Sequence, residues 1–129
     1  GGTKIAVVTS KRVGIARRTL ECCGLWEAVD LVVCANQVRL PKPHPKSVNL
    51  ALSTLRLEPD NVVFVGDSPF DMQAGKGAGT RTAAALWGPF NPEELLAEEP
   101  DFVLEVLRDV LEISPAQAVA GGRLPPVTP

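Results

Sequence analysis

The segment Asn61–Gly66 reads N-V-V-F-V-G, an apolar, β-branched run with no polar residue interleaved. A strand with one wet face alternates apolar and polar side chains; an unbroken run marks a strand covered on both faces. Lys4–Thr9 (K-I-A-V-V-T) has the same character, Asp30–Val33 (D-L-V-V) has it more weakly, and Arg81–Leu86 and Phe102–Leu104 complete the set. Helical spacing fills the intervals. Arg12–Cys23 sets Val13, Ala16, Leu20 and Cys23 on one stripe, with Gly24 placed to end it. Pro45–Leu57 sets Val48, Leu52 and Leu55 on a stripe, with Pro45 suited to a first turn. Pro69–Ala78 is shorter and interrupted by glycine, and Pro92–Ala97 and Glu105–Glu112 close the series. Strand and helix in alternation with short joins predict an α/β fold built on a parallel sheet.

At 129 residues the chain is long enough for one domain with its own core and too short for two. The fold is expected to occupy residues 1–113, and Ser114–Pro129, rich in Pro, Gly and Ala, to form a flexible tail. A net charge of −2 offers no footprint for nucleic acid. No apolar run reaches the length of a membrane span, and no basic segment precedes an apolar one as in a signal peptide, so the cytoplasm is the expected compartment. Cys22, Cys23 and Cys34 are odd in number and lack a Cys-x-x-Cys spacing, which favours buried free thiols over disulfides or zinc.

Ligands of parallel α/β sheets bind beyond the carboxyl ends of the strands. Three polar clusters fall there or close by. Thr9-Ser10 ends the first strand, where a hydroxyl and a backbone N–H at a helix start can grip an anion or simply cap the helix. Gly66-Asp67-Ser68-Pro69-Phe70-Asp71 follows the strongest strand, and its two carboxylates suit a hard cation such as magnesium or, alternatively, an N-cap. Leu40-Pro41-Lys42-Pro43-His44-Pro45 is a stiff loop presenting one lysine and one histidine. His44 has no Asp, Cys or Ser signature beside it and reads as a loop residue. Gly75-Lys76-Gly77-Ala78-Gly79 lacks the spacing of a dinucleotide fingerprint and follows a helix start. Trp26, Trp87 and Phe90 read as packing residues.

In this order, the clusters resemble the haloacid dehalogenase-like phosphatase superfamily over nearly the whole chain up to Ile113. V-V-T-S is similar to its second motif, Lys42 in L-P-K-P-H-P to its third, and G-D-S-P-F-D to its acidic fourth. A-A-L-W-G and E-E-P-D-F-V resemble segments of phosphoglycolate phosphatases and their pyrophosphatase relatives. The resemblance implies a three-layer, Rossmann-like parallel sheet and Mg²⁺-dependent phosphoryl transfer on a small phosphorylated metabolite, phosphoglycolate favoured. It implies that Asp67 ligates Mg²⁺, with Asp71 completing the acidic site. Thr9 and Ser10 would bind phosphoryl oxygens, and Lys42 would offset charge between phosphate and nucleophile. The G-D-x-x-x-D arrangement favours phosphoryl transfer over carbon–halogen cleavage, while pyrophosphate hydrolysis or a β-phosphoglucomutase-like transfer stays open.

The same resemblance implies a first motif, D-x-D, whose first Asp is the nucleophile and whose second is the general acid and base. No D-x-D occurs anywhere in this sequence. The expectation is therefore a C-terminal portion lacking its N-terminal central strand and cap. Two sheet pieces would face a gap, and the chain would need its N-terminal segment or a partner strand. Alone, it would be inert or a binding module. A lysine at Lys42 without its carboxylate partners would be costly.

Overall fold

The computed structural model describes residues 3–9, 11–34, 42 and 44–113. Ser10 and the 114–129 tail lie outside them.

Among the described residues, five strands and four α-helices alternate in the expected order. The strands are β1 (Ala6–Val8), β2 (Leu31–Val33), β3 (Val63–Gly66), β4 (Arg81–Ala85) and β5 (Phe102–Leu104). The helices are α1 (Val13–Cys22), α2 (Lys46–Leu55), α3 (Pro69–Gly77) and α4 (Pro92–Leu96). The segment Leu107–Glu112, expected as a helix, winds as a 3₁₀ helix instead. The Asp109 carboxylate accepts from the Glu105 and Val106 N–H groups at its start, and this local bonding favours the tighter turn.

All strand pairing is parallel, but the strands form two sheets, β1–β2 and β3–β4–β5. Among the described residues no strand lies between β1 and β3. The ladder alternation shows which groups are left over. Thr9 N–H donates to Val33 C=O and Arg81 N–H to Val62 C=O, so Ala6 and Val8 of β1 and Val63 and Val65 of β3 turn their backbone groups the other way, toward the gap. This is the divided sheet that the absence of a D-x-D strand predicts.

The core clusters among the described residues gather around β3, β4 and β5, and α2, which also packs on β1 and β2, links them to the other half. Val48 and Leu52 of α2 meet Ala74 of α3, Ala78 just past its end and Phe64 of β3 in one cluster. Met72, Ala84 and Leu95 join α3, β4 and α4 in a second. Val63 points to the opposite face from Phe64, where Ala83, Phe102 and Leu104 pack under Val110 and Ile113. The central strand β4 is accordingly buried from Thr82 to Ala85. Strands flanking the gap are less covered than an unbroken apolar run implies: Val65 is 38% exposed.

Helix α1 departs furthest from expectation. Of its apolar stripe only Ala16 is buried, and Cys22 and Cys23 are exposed, correcting the reading of all three cysteines as buried; Cys34 alone is. The physical reason is its partner: α1 packs chiefly against the short turn Trp26–Ala28 rather than against a strand. Gly24 (φ +72°) ends it as expected, with Leu25 N–H returning to Leu20 C=O. Pro45 caps α2 from outside its first turn and accepts from Asn49 N–H. No helix among the described residues is long and apolar enough to cross a membrane.

Candidate phosphate and cation site

The carboxyl ends of β1 and β3, on either side of the gap, open into one cavity of about 310 Å³. Val8 and Thr9 line it at the end of β1, Val65, Gly66, Asp67 and Asp71 along β3 and the turn into α3, and Lys42 and Trp87 are among the other lining residues. Thr9, Lys42, Asp67 and Asp71, singled out from the sequence, are thus brought together; Ser10 lies outside the described residues.

The acidic turn is built from local chemistry. Pro69 fits the first helical position, where no N–H is needed. Ser68 is the N-cap, its hydroxyl accepting from Asp71 N–H at 3.1 Å. Neither carboxylate is therefore the cap. Asp71, in the third helical position, folds its side chain back and accepts the Asp67 N–H at 3.2 Å through Oδ2. Its Oδ1 receives the Lys42 ammonium at 2.7 Å, with only 17% of the lysine and 11% of the aspartate side chain exposed. The lysine expected to lack carboxylate partners has one.

The Asp67 carboxylate, in contrast, makes no hydrogen bond or ion pair among the described residues. The donor set that results is two hard carboxylates, one free and one engaged on both oxygens. No cluster of three or more His, Cys, Asp or Glu exists among the described residues. Zinc wants three or four nitrogen or sulfur ligands. Magnesium keeps most of its waters and takes one or two carboxylates, so the residues present fit it.

Thr9 is not an N-cap either: the N-cap of α1 is Arg12, which makes no side-chain cap bond. The Thr9 oxygen accepts from Lys11 N–H at 3.1 Å, which orients the hydroxyl and leaves its proton to donate. His44 is exposed and accepts the Lys46 N–H through Nδ1, a loop role as read. Gly75 lies in α3, where a side chain would strike Thr82 and Phe64; it serves helix–strand contact, not a nucleotide.

Trp87 was missed. Read as packing, it is 48% exposed and lines the cavity. Phe90 does pack, edge-on to Phe70 with ring centroids 6.3 Å apart, and Trp26 carries the Arg17 guanidinium 4.8 Å above its ring. The only signal for Trp87 was its position just past a strand end, where parallel sheets place ligand-facing residues.

A parallel α/β fold here gathers a lysine, a hydroxyl and two carboxylates around its strand ends, groups able to bind an anion and a hard cation. The sequence profile of the haloacid dehalogenase-like hydrolases matches residues 1–85, and the chain belongs to that family. Among curated relatives, pyrophosphatase PpaX of Bacillus velezensis is 39% identical over 113 residues, covering 88% of this chain and 52% of the relative. The probable phosphatase IndB of Dickeya dadantii is 36% identical, covering 85% of this chain and 48% of the relative. A solved structure described as a predicted phosphoglycolate phosphatase from Haemophilus somnus superposes with a TM-score of 0.80 at 25% identity, covering 86% of this chain and 49% of that one. A variant of CbbY from Rhodobacter sphaeroides in complex with xylulose-1,5-bisphosphate superposes with a TM-score of 0.71 at 28% identity, covering 79% and 46%. The chain spans about half the length of the curated relatives it matches.

Proposed function

We propose that this chain carries the phosphate- and cation-binding half of a Mg²⁺-dependent phosphohydrolase whose acidic nucleophile arrives on a strand inserted between β1 and β3. The observation that carries the proposal is the cavity itself. It lies between two open strand edges and gathers Thr9, Lys42, Asp67 and Asp71.

The roles follow from the contacts. The Thr9 hydroxyl donates to a phosphoryl oxygen. Lys42 spends one of its three N–H donors on Asp71 and has two left for the phosphoryl group and the incoming carboxylate. Asp71 braces the site by holding Lys42 and the Asp67 N–H at once, which leaves Asp67 as the direct cation ligand. When bound, Mg²⁺ supplies neutralisation of the charge that builds on the equatorial phosphoryl oxygens. An in-line attack needs a carboxylate on the far side of the phosphorus, and the gap between β1 and β3 admits one.

The substrate is a small phosphorylated metabolite. Phosphoglycolate is favoured by the A-A-L-W-G and E-E-P-D-F-V segments, and inorganic pyrophosphate is the second reading, supported by the PpaX relatives. The test is Mg²⁺-dependent hydrolysis of p-nitrophenyl phosphate, phosphoglycolate and pyrophosphate. The chain is assayed alone and co-purified with the portion of Bacillus velezensis PpaX that it does not cover. Turnover only in the pair, abolished by Asp67→Asn, supports the proposal. Turnover by the chain alone that survives Asp67→Asn contradicts it.

A further inference from the structure

We infer that Gly88 is a positioning residue for Asp67, its bare α-carbon forming the wall against which the carboxylate is set. The inference rests on reading Asp67 as the cation ligand, and its test separates the two.

A side chain is fixed by hydrogen bonds, by ion pairs or by packing. Asp71 has the first two, from the Asp67 N–H and from Lys42. Asp67 has neither among the described residues, so packing must hold it. The packing partner is the backbone just past β4. A β-carbon at Gly88 would stand 2.6 Å from Asp67 Cβ, 2.8 Å from Oδ2 and 2.9 Å from Cγ. Such approaches are far inside van der Waals contact. The nearest atom, Cβ, is one bond from the main chain, so no rotation of the aspartate side chain clears it. Either the Asp67 backbone or the loop after β4 would have to move.

Two further facts single the position out. Of the described glycines, two are pressed against a carboxylate, and both belong to this site: Gly66 against Asp71, where a β-carbon would fall 2.7 Å from Cγ and Oδ2, and Gly88 against Asp67. Gly24 and Gly79 owe their identity to a positive φ (+72° and +84°), but Gly88 lies outside that region. Alanine at residue 88 would meet no left-handed backbone strain, and contact with Asp67 is the cost. Gly88 thus ties the loop after β4 to the geometry of the free carboxylate. Loss of a group that orients a metal ligand typically costs roughly 10- to 100-fold in metal affinity.

The test uses the isotopically labelled chain with Gly88→Ala, and with Gly14→Ala as the control, since a β-carbon at Gly14 meets nothing within 4 Å. The first readout is the Asp67 χ1 rotamer from side-chain couplings; the second is the Asp67 carboxyl carbon shift during titration with MgCl₂. The wild type and Gly14→Ala should show one Asp67 rotamer. Gly88→Ala should show a different or averaged one and roughly 10-fold or weaker response to Mg²⁺. Wild-type couplings in Gly88→Ala would overturn the inference. A rotamer change in Gly88→Ala with no Mg²⁺ response in the wild type would sustain the positioning role and defeat the cation reading instead. If Gly88→Ala fails to fold, Asp67→Gly in the same chain should restore folding by removing the obstructing β-carbon. Failure of that rescue would count against the inference.

Discussion

Lys42 shows what one residue's surroundings decide. Its ammonium reaches Asp71 at 2.7 Å in a site where both side chains are mostly buried. Asp71→Asn keeps the shape and the oxygen that accepts the Asp67 N–H but strands the lysine charge. The expected cost is about 1–3 kcal/mol in urea unfolding, less than for a fully buried pair because some solvent reaches this one. Adding Lys42→Met should recover most of that loss, because an apolar pair needs no compensation; no recovery would mean that Asp71 acts chiefly through the Asp67 N–H. The cysteines divide just as sharply. Burial pushes the Cys34 thiol above its ordinary value of 9.0. The folded state thus keeps a proton that the unfolded chain loses, so this contribution to stability is whole below about pH 9 and fades as pH rises through the raised folded value. Ellman's reagent should label Cys22 and Cys23 at once and Cys34 only with unfolding; prompt labelling of Cys34 would contradict its burial. Lys42, Asp67 and Asp71 were singled out by their resemblance to the family's motifs, and they line one cavity. The Lys42–Asp71 pair, the free state of Asp67 and the exposure of Cys22 were not legible, since each depends on contacts between segments distant in sequence.

Elements were more legible than their surfaces. Unbroken apolar runs located all five strands, and helical spacing with Pro and Gly punctuation located four helices. The apolar stripe of α2 holds, with Val48 and Leu52 buried, because α3 and β3 cover it. The stripe of α1 does not hold, with Val13 47% exposed and Cys23 exposed as well, because periodicity states which residues share a face and not whether anything covers that face. The end of α2 was also hidden. Arg56, at φ 56°, occupies the left-handed position that closes the helix, with Leu57 N–H returning to Leu52 C=O. Glycine usually takes that position because it lacks the β-carbon clash. Arg56→Gly should therefore stabilise the chain by roughly 0.5–1 kcal/mol, after the glycine's larger unfolded-state entropy is set against the relieved strain. A fall in the thermal midpoint would show that the arginine side chain contributes more than its backbone costs.

For the whole molecule, the question is how a site can be set across a divided sheet. Helices α2 and α3 pack on each other and on strands of both halves, so the halves are joined on one face while the β1 and β3 edges stay open to each other across the cavity. Open edges are normally a liability for aggregation, and here they flank the candidate site. The gap itself was legible in the sequence, because a family whose nucleophile sits on a D-x-D strand is here represented by a chain with no D-x-D. Backbone direction at the gap was not legible, since only the ladder shows which amides face it. Hydrogen exchange reads those amides directly. In the chain alone, Ala6, Val8, Val63 and Val65 should exchange quickly while Thr9 and Phe64, bonded within their own sheets, exchange slowly. Adding the uncovered portion of PpaX should slow the first group to match the second. Strong, uniform protection of both strands in the chain alone would contradict an open strand site, and with it the account of how this site is completed.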